Sequence, residues 1–365
     1  MSSPGLQVGR VLGVPVFVSP SWLLFAAFVV LSLGPTFAGE YGSGPGYVAA
    51  GAFALLLLVS VLMHEIGHCV VARAFDLPVT SITVTFLAGL TEITKPPQTP
   101  AREYAVAVIG PMVSLLLAAV GYASIGLFED GSLLALLAEL VAVSNGLVAA
   151  FNLLPGLPLD GGRVLHSALW RLTGDQARST RLAARAGQVV GAAVVPALLL
   201  GLLPALGVTE RSVTAVLFTA LVGTFIYVGA SATLQRTAFL ARVPRATVQG
   251  LATPALAVQA SVPLAEAVRQ AQVAGLRAVV VVDGTGEPTA VVSEAAVLAV
   301  PEGRRPWVSV STVARRLEPG MVLDASLSGE PLLAAMRATP ATEYVVTAPL
   351  RVLVAADVAA VVAPT

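Results

Sequence analysis

Cysteine, histidine and charge are all scarce in this chain of 365 residues, and each scarcity excludes something. The single Cys69 rules out an internal disulfide and leaves the redox compartment open. Charged residues make up only 12% of the chain against 56% hydrophobic ones, whereas soluble domains carry roughly 25% charge, so a fully soluble protein is excluded. The charges cancel to a formal net of zero, which leaves no basic field to attract nucleic acid. Lys95 is the only lysine, a compositional bias without structural meaning. The opening MSSPGLQVGRVLGVP is polar and glycine-rich, so no cleavable signal peptide is expected and the first apolar stretch is expected to stay as an anchor.

What the chain has instead is long apolar runs. A helix crosses a bilayer with about 20 mostly apolar residues, and six segments meet that length, near 20–38, 48–72, 103–128, 133–154, 187–206 and 213–234. Their connections alternate in charge. Basic residues from Arg10, Arg73 and Lys95 to Arg171, Arg185 and Arg245 fall on one side; Arg211 alone joins Glu40, Glu129, Asp130 and Glu210 on the other. The positive-inside rule then makes both termini cytoplasmic in a multi-pass protein of the cell membrane.

Within the second segment, LMHEIGHCV (62–70) places ionisable groups among apolar ones. Such groups cost about 3 kcal/mol each inside a membrane and point to function. On a helix His64 and His68 project from one face a turn apart and can share one ion, most naturally zinc. Glu65 stands beside them, placed to take a proton from a water activated by that ion. A catalytic zinc site takes three protein ligands, and the third donor is Asp160 or His166. Asp160 lies in FNLLPGLPLDGGRVL (151–165), where Pro and Gly break the fourth segment at the same depth as His68; His166 follows on an amphipathic helix and reads better as a polar interface residue. Cys69 points about 100° away from His68 and reads as a small core hydrophobe.

HEIGH on a membrane helix, Gly110-Pro111 in the third segment and FNLLPGLPLDGG closing the fourth together resemble the site-2 protease family of intramembrane zinc metalloproteases. The resemblance covers roughly residues 5–240. It implies one zinc per chain on His64, His68 and Asp160, Glu65 as general base, and Asn152 orienting or stabilising the peptide oxyanion. Asn152 also reads as a helix-terminating residue, and Asn145 on the same face reads as helix–helix glue. Close helix packing explains Gly110 and Pro111 as well as a role in catalysis does. Between segments two and three, the β-branched Val79 to Phe86 and a turn at Gly89 read as a β-hairpin. Family members carry a re-entrant hairpin there, with Gly-Gly where this chain has Ala88-Gly89; its edge would pair with an unwound substrate segment. Implied substrates are membrane-bound regulators such as anti-sigma factors or pro-proteins in a bacterial cell membrane, and the implied process is regulated intramembrane proteolysis.

From about Thr247 the pattern changes to short elements in two approximate copies, each a helix (LAEAVRQAQVAG; LLAAMRATP), two strands and a second helix. This resembles a cystathionine-β-synthase-like (CBS) domain pair. The ribose-contacting Thr-x-x-Asp pattern is missing at Glu294 to Ala296, and the second copy keeps Asp357 but has Val354 in place of threonine. An adenine nucleotide is therefore disfavoured, and a module for homodimerisation or substrate docking is an equal alternative. The expected architecture is a polytopic α-helical membrane protein, six transmembrane helices with a re-entrant β-hairpin over 1–245, followed by an α+β cytoplasmic CBS pair over 246–365. The rivals are a catalytically silent membrane scaffold on the same fold, against which the retained His64, Glu65, His68 and Asp160 speak, and a metal transporter, which calls for a second polar helix that the chain lacks.

Overall fold

The computed structural model describes residues 5–86, 89–205, 207 and 212–363. Ala88 of the expected hairpin turn, and Glu210 and Arg211 of the charge count, lie outside them. Packing divides the chain into two units, Met1–Leu234 and Gln235–Thr365.

Among the described residues, six helices are long and apolar enough to cross a membrane. The first four are α1 (Pro20–Tyr41), α2 (Ser43–Ala74), α3 (Pro100–Ile125) and α4 (Leu133–Asn152). Their starts obey capping chemistry. Ser19, Thr99 and Ser132 each accept a hydrogen bond from an otherwise orphaned backbone N–H of the first turn, and Pro20 and Pro100 stand where no N–H is needed. Gly42, at φ 89°, breaks the chain between α1 and α2.

A short helix, α5 (Asp160–Thr173), comes next and leads into α6 (Gln176–Val189), which runs on through Leu202. The fifth span thus starts at Gln176, well before the expected 187. Asp175 caps α6 by accepting from Arg178 N, and the first turns expose Arg178, Arg181 and Arg185 while burying Ser179, Ala183 and Ala184. That amphipathic stretch lowers the local hydropathy and hides the helix start. Around Pro196, which has no N–H to donate, the helix widens to π-type at Val190–Val194 and Ala197–Leu202. The sixth helix is Val213–Arg242.

A four-stranded sheet accompanies α2. Strands β1 (Leu6–Val11) and β2 (Val14–Val18) form a hairpin through Leu12 and Gly13, both at positive φ; β2 runs parallel to β3 (Val79–Val84), and β3 pairs antiparallel with β4 (Gly89–Ile93). Gly89 opens the second strand of the expected hairpin instead of forming its turn. The sheet's inner face, Val14, Val16 and Ile82, packs on Leu62, Ile66 and Cys69 of α2, which buries Cys69 completely. The histidine-bearing turn of α2 is thereby covered on one side.

In the second unit one six-stranded sheet runs in the order β8-β7-β6-β5-β10-β9, with β5 Thr253–Gln259, β6 Ala278–Val282, β7 Pro288–Val292, β8 Arg315–Arg316, β9 Glu343–Thr347 and β10 Leu350–Val354. Two copies interlock in it. Val291 pairs with Arg315 as Val352 pairs with Thr253, and the bridge Pro263–Ser309 mirrors Ser328–Thr247. Each copy's hairpin is therefore extended by a strand that belongs to the other. A shared cluster of Val280, Val291, Met321, Val345 and Val352 joins the two halves.

Candidate metal centre

Three side chains converge inside the first unit. Nε2 of His64 and Nε2 of His68 each lie 3.1 Å from Oδ2 of Asp160, and 3.2 Å from each other. All three residues are buried. Two donors held about 2.0–2.1 Å from one tetrahedral ion stand roughly 3.3 Å apart, so the triangle has the size such an ion requires.

Protonation points the same way. His68 Nδ1 is 2.6 Å from the carbonyl oxygen of Val106, a group that only accepts, so Nδ1 carries the proton and Nε2 of the neutral ring is bare. His64 Nδ1 is 2.9 Å from Ser114 Oγ. A bare nitrogen facing a carboxylate oxygen sets two lone pairs against each other, an opposition that a shared proton or a metal cation relieves. Acid also outnumbers base here: the carboxyl groups of Glu65, Glu103 and Asp160 are all buried, and Arg163 pairs with Glu103 and approaches Asp160, so a divalent ion would offset the excess.

One face of α3 builds the wall of the site. Val106 and Ser114 hold the two rings from behind, and between them Gly110 brings bare backbone against the metal-facing nitrogens. A Cβ at Gly110 would stand 2.5 Å from His64 Nε2 and 2.6 Å from His68 Cε1. Gly110 thus keeps space open for the site itself, beyond the helix packing that its sequence context explains.

Glu65 is buried beside the histidines, with a carboxylate oxygen inside the same 4.8 Å group of ligand-capable atoms. Thr91 Oγ1 on β4 donates to its Oε2 at 2.6 Å, and Gly89 at the start of that strand lies so close that a Cβ would be 2.5 Å from the Glu65 carboxyl carbon. The sheet therefore closes over the glutamate.

Asp160 is delivered by the broken end of α4. The segment after Asn152 turns at Leu153–Leu159, tied by Leu157 N donating to Ala183 O of α6 at 3.0 Å, and Asp160 opens α5. A carboxylate at a helix N-terminus also meets the positive end of the helix dipole. On the next turn Arg163 Nε donates to Glu103 Oε1 at 2.9 Å, while its Nη1 stands 4.0 Å from Asp160 Oδ1. Burial acts to lower the Arg163 pKa, but the adjacent Glu103 carboxylate raises it overall.

Among the described residues, no hydrogen bond links the remaining candidates to the triangle. His166 is buried on α5 with its ring 5.8 Å from Trp170, and its Nε2 has no hydrogen-bond partner among the described residues; burial lowers its pKa. The half-buried Asn152 donates from its amide to Val148 O in its own helix. Asn145 Nδ2 donates to Ser60 Oγ at 3.0 Å, joining α4 to α2. Sequence reading missed Ser114, Thr91, Glu103 and Arg163. A buried acid one turn before the apolar face of α3 and an arginine three residues past Asp160 were the available signals.

Residues 52–138 and 126–195 match the model of peptidase family M50. Together the two matches span residues 52–195. The chain is 39% identical over 194 residues to a protein of Synechocystis named as a zinc metalloprotease, sll0528, covering 51% of this chain and 50% of the relative. It is 37% identical over 197 residues to one of Mycobacterium tuberculosis so named, Rip3, covering 52% and 50%. The chain thus spans about half the length of these curated relatives. A solved structure titled site-2 protease from Methanocaldococcus jannaschii is 25% identical and covers 63% of this chain and 94% of its own, with a TM-score of 0.45.

Proposed function

We propose that the chain is a membrane zinc endopeptidase of the site-2 type, cleaving a peptide bond in or beside a transmembrane segment of a membrane-bound protein. The observation that carries this reading is the triangle of His64 Nε2, His68 Nε2 and Asp160 Oδ2 with Glu65 beside it, the histidines and Glu65 standing on a helix long and apolar enough to lie in a bilayer. Its match to the M50 model and the names of its relatives support it.

His64, His68 and Asp160 would hold the ion, and Ser114 and Val106 fix the two rings. A zinc ion there would supply Lewis acidity, lowering the pKa of a water to about 7 and polarising a carbonyl oxygen. The Glu65 carboxylate takes the proton from the attacking water and passes it to the leaving amine. Thr91, bonded to Oε2, holds that carboxylate in one rotamer. Asn152 is the proposed oxyanion donor, a role that requires its amide to leave Val148 O. The hairpin β3–β4 re-enters the membrane in this reading, and its edge strand receives an extended substrate segment.

The basic connections face the cytoplasm, as do both termini and the second unit. That unit is a CBS-type pair, and homodimerisation through it is part of the proposal. Substrates of the anti-sigma-factor or pro-protein type, cut in regulated intramembrane proteolysis, fit the same reading.

The test is metal content together with cleavage of a membrane-spanning reporter protein by the purified chain. A zinc chelator abolishes cleavage and added zinc restores it. Asp160→Ala loses metal by more than the roughly 10–100-fold typical of an outer-shell change, whereas His166→Ala keeps it. Full metal retention by Asp160→Ala, or cleavage that survives chelation, overturns the proposal.

A further inference from the structure

A carboxylate has two equivalent oxygens and a freely turning terminal bond, yet Asp160 presents only Oδ2 to the histidine pair. Its other oxygen, Oδ1, faces Arg163, whose Nη1 is 4.0 Å away, beyond hydrogen-bond reach but close enough for charge to act in a buried setting. The guanidinium is kept from coming closer because its Nε donates to Glu103 Oε1, and Glu103 is buried near the start of α3. An arginine free to close on Asp160 would take both carboxylate oxygens in its planar fork and compete with an ion for them.

We infer that Arg163, anchored by Glu103, is a positioning residue that turns Asp160 so that Oδ2 alone serves the metal. This inference rests on the metal site proposed above. The bland reading is a pair that merely ties α3 to α5. Two predictions separate the readings. If the pair is only a tie, exchanging its members restores stability and metal binding together; if Arg163 positions Asp160, the exchange sets a carboxylate against Oδ1 and restores the tie without the metal affinity.

The experiment uses the full chain in detergent, stripped of metal and titrated with Co²⁺, whose visible ligand-field bands report donor geometry, with zinc affinity measured by competition. Wild type binds and shows the bands of a nitrogen–oxygen site. Arg163→Met loses about 10–100-fold in affinity and shifts the bands. Arg163→Lys, which keeps the charge but not the fork, recovers part of the affinity. Glu103→Gln frees the guanidinium and weakens binding as well. The double variant Glu103→Arg/Arg163→Glu regains thermal stability over the single variants without regaining affinity or spectrum. Wild-type affinity and bands in Arg163→Met, or in the exchanged variant, overturn the inference while leaving the metal site intact. A wild-type chain that takes up neither Co²⁺ nor zinc overturns both.

Discussion

Replacing Glu65 with glutamine reduces peptide hydrolysis about 10²–10⁴-fold, the range lost when a positioned acid–base group is removed, and leaves metal content unchanged. The two halves of this result have separate causes. The triangle of donors does not include Glu65, so the ion's grip survives. The amide keeps the size of the carboxylate and still accepts from Thr91 through its oxygen, so the closed arrangement of β4 over α2 survives too. What disappears is a group able to take a proton and give it back. The measurement is reporter cleavage and metal analysis on the same preparation. If the glutamine variant keeps its metal and cleaves at the wild-type rate, the base lies elsewhere.

Gly110→Ala strips the protein of metal and of activity together. Alanine favours a helix interior by about 1 kcal/mol over glycine, so propensity alone would make this change stabilising. Sterics oppose it and win. The new methyl would sit 2.5 Å from His64 Nε2, and the rings cannot retreat because Ser114 and Val106 of the same helix face hold them from behind. The control is Gly146→Ala on α4, where a Cβ meets nothing within 4 Å. That variant keeps its metal. Equal metal content in the two variants would remove Gly110 from the wall of the site.

Much of the site was legible because its chemistry is local. His64, Glu65 and His68 follow one another on a helix whose period can be read from the apolar residues around them, and Asp160 stands in a run of Pro and Gly that breaks the helix before it. The unread residues depend on encounters across the fold. Ser114 and Val106 matter only because α3 passes behind the rings, and nothing in their own neighbourhood marks them. Gly110 looks like any small residue at a helix crossing until the imidazoles are placed against it. The first two strands escaped for a related reason. The first fifteen residues read as a polar, glycine-rich lead, but β2 pairs in parallel with β3 across the whole of α1 and α2, and a pairing at such separation leaves no periodic trace. Asp175 and the arginines of α6 concealed the start of the fifth helix because hydropathy averages over both of its faces.

The strand exchange in the second unit constrains what can be cut away from this protein. Because β8 completes the first copy's hairpin and β5 the second's, neither repeat is a self-sufficient fragment. A truncation that kept one and discarded the other would leave a bare sheet margin with unpaired amides, the kind of surface that sticks to neighbours. Gain or loss of this appendage in evolution is accordingly expected to involve both repeats in one event.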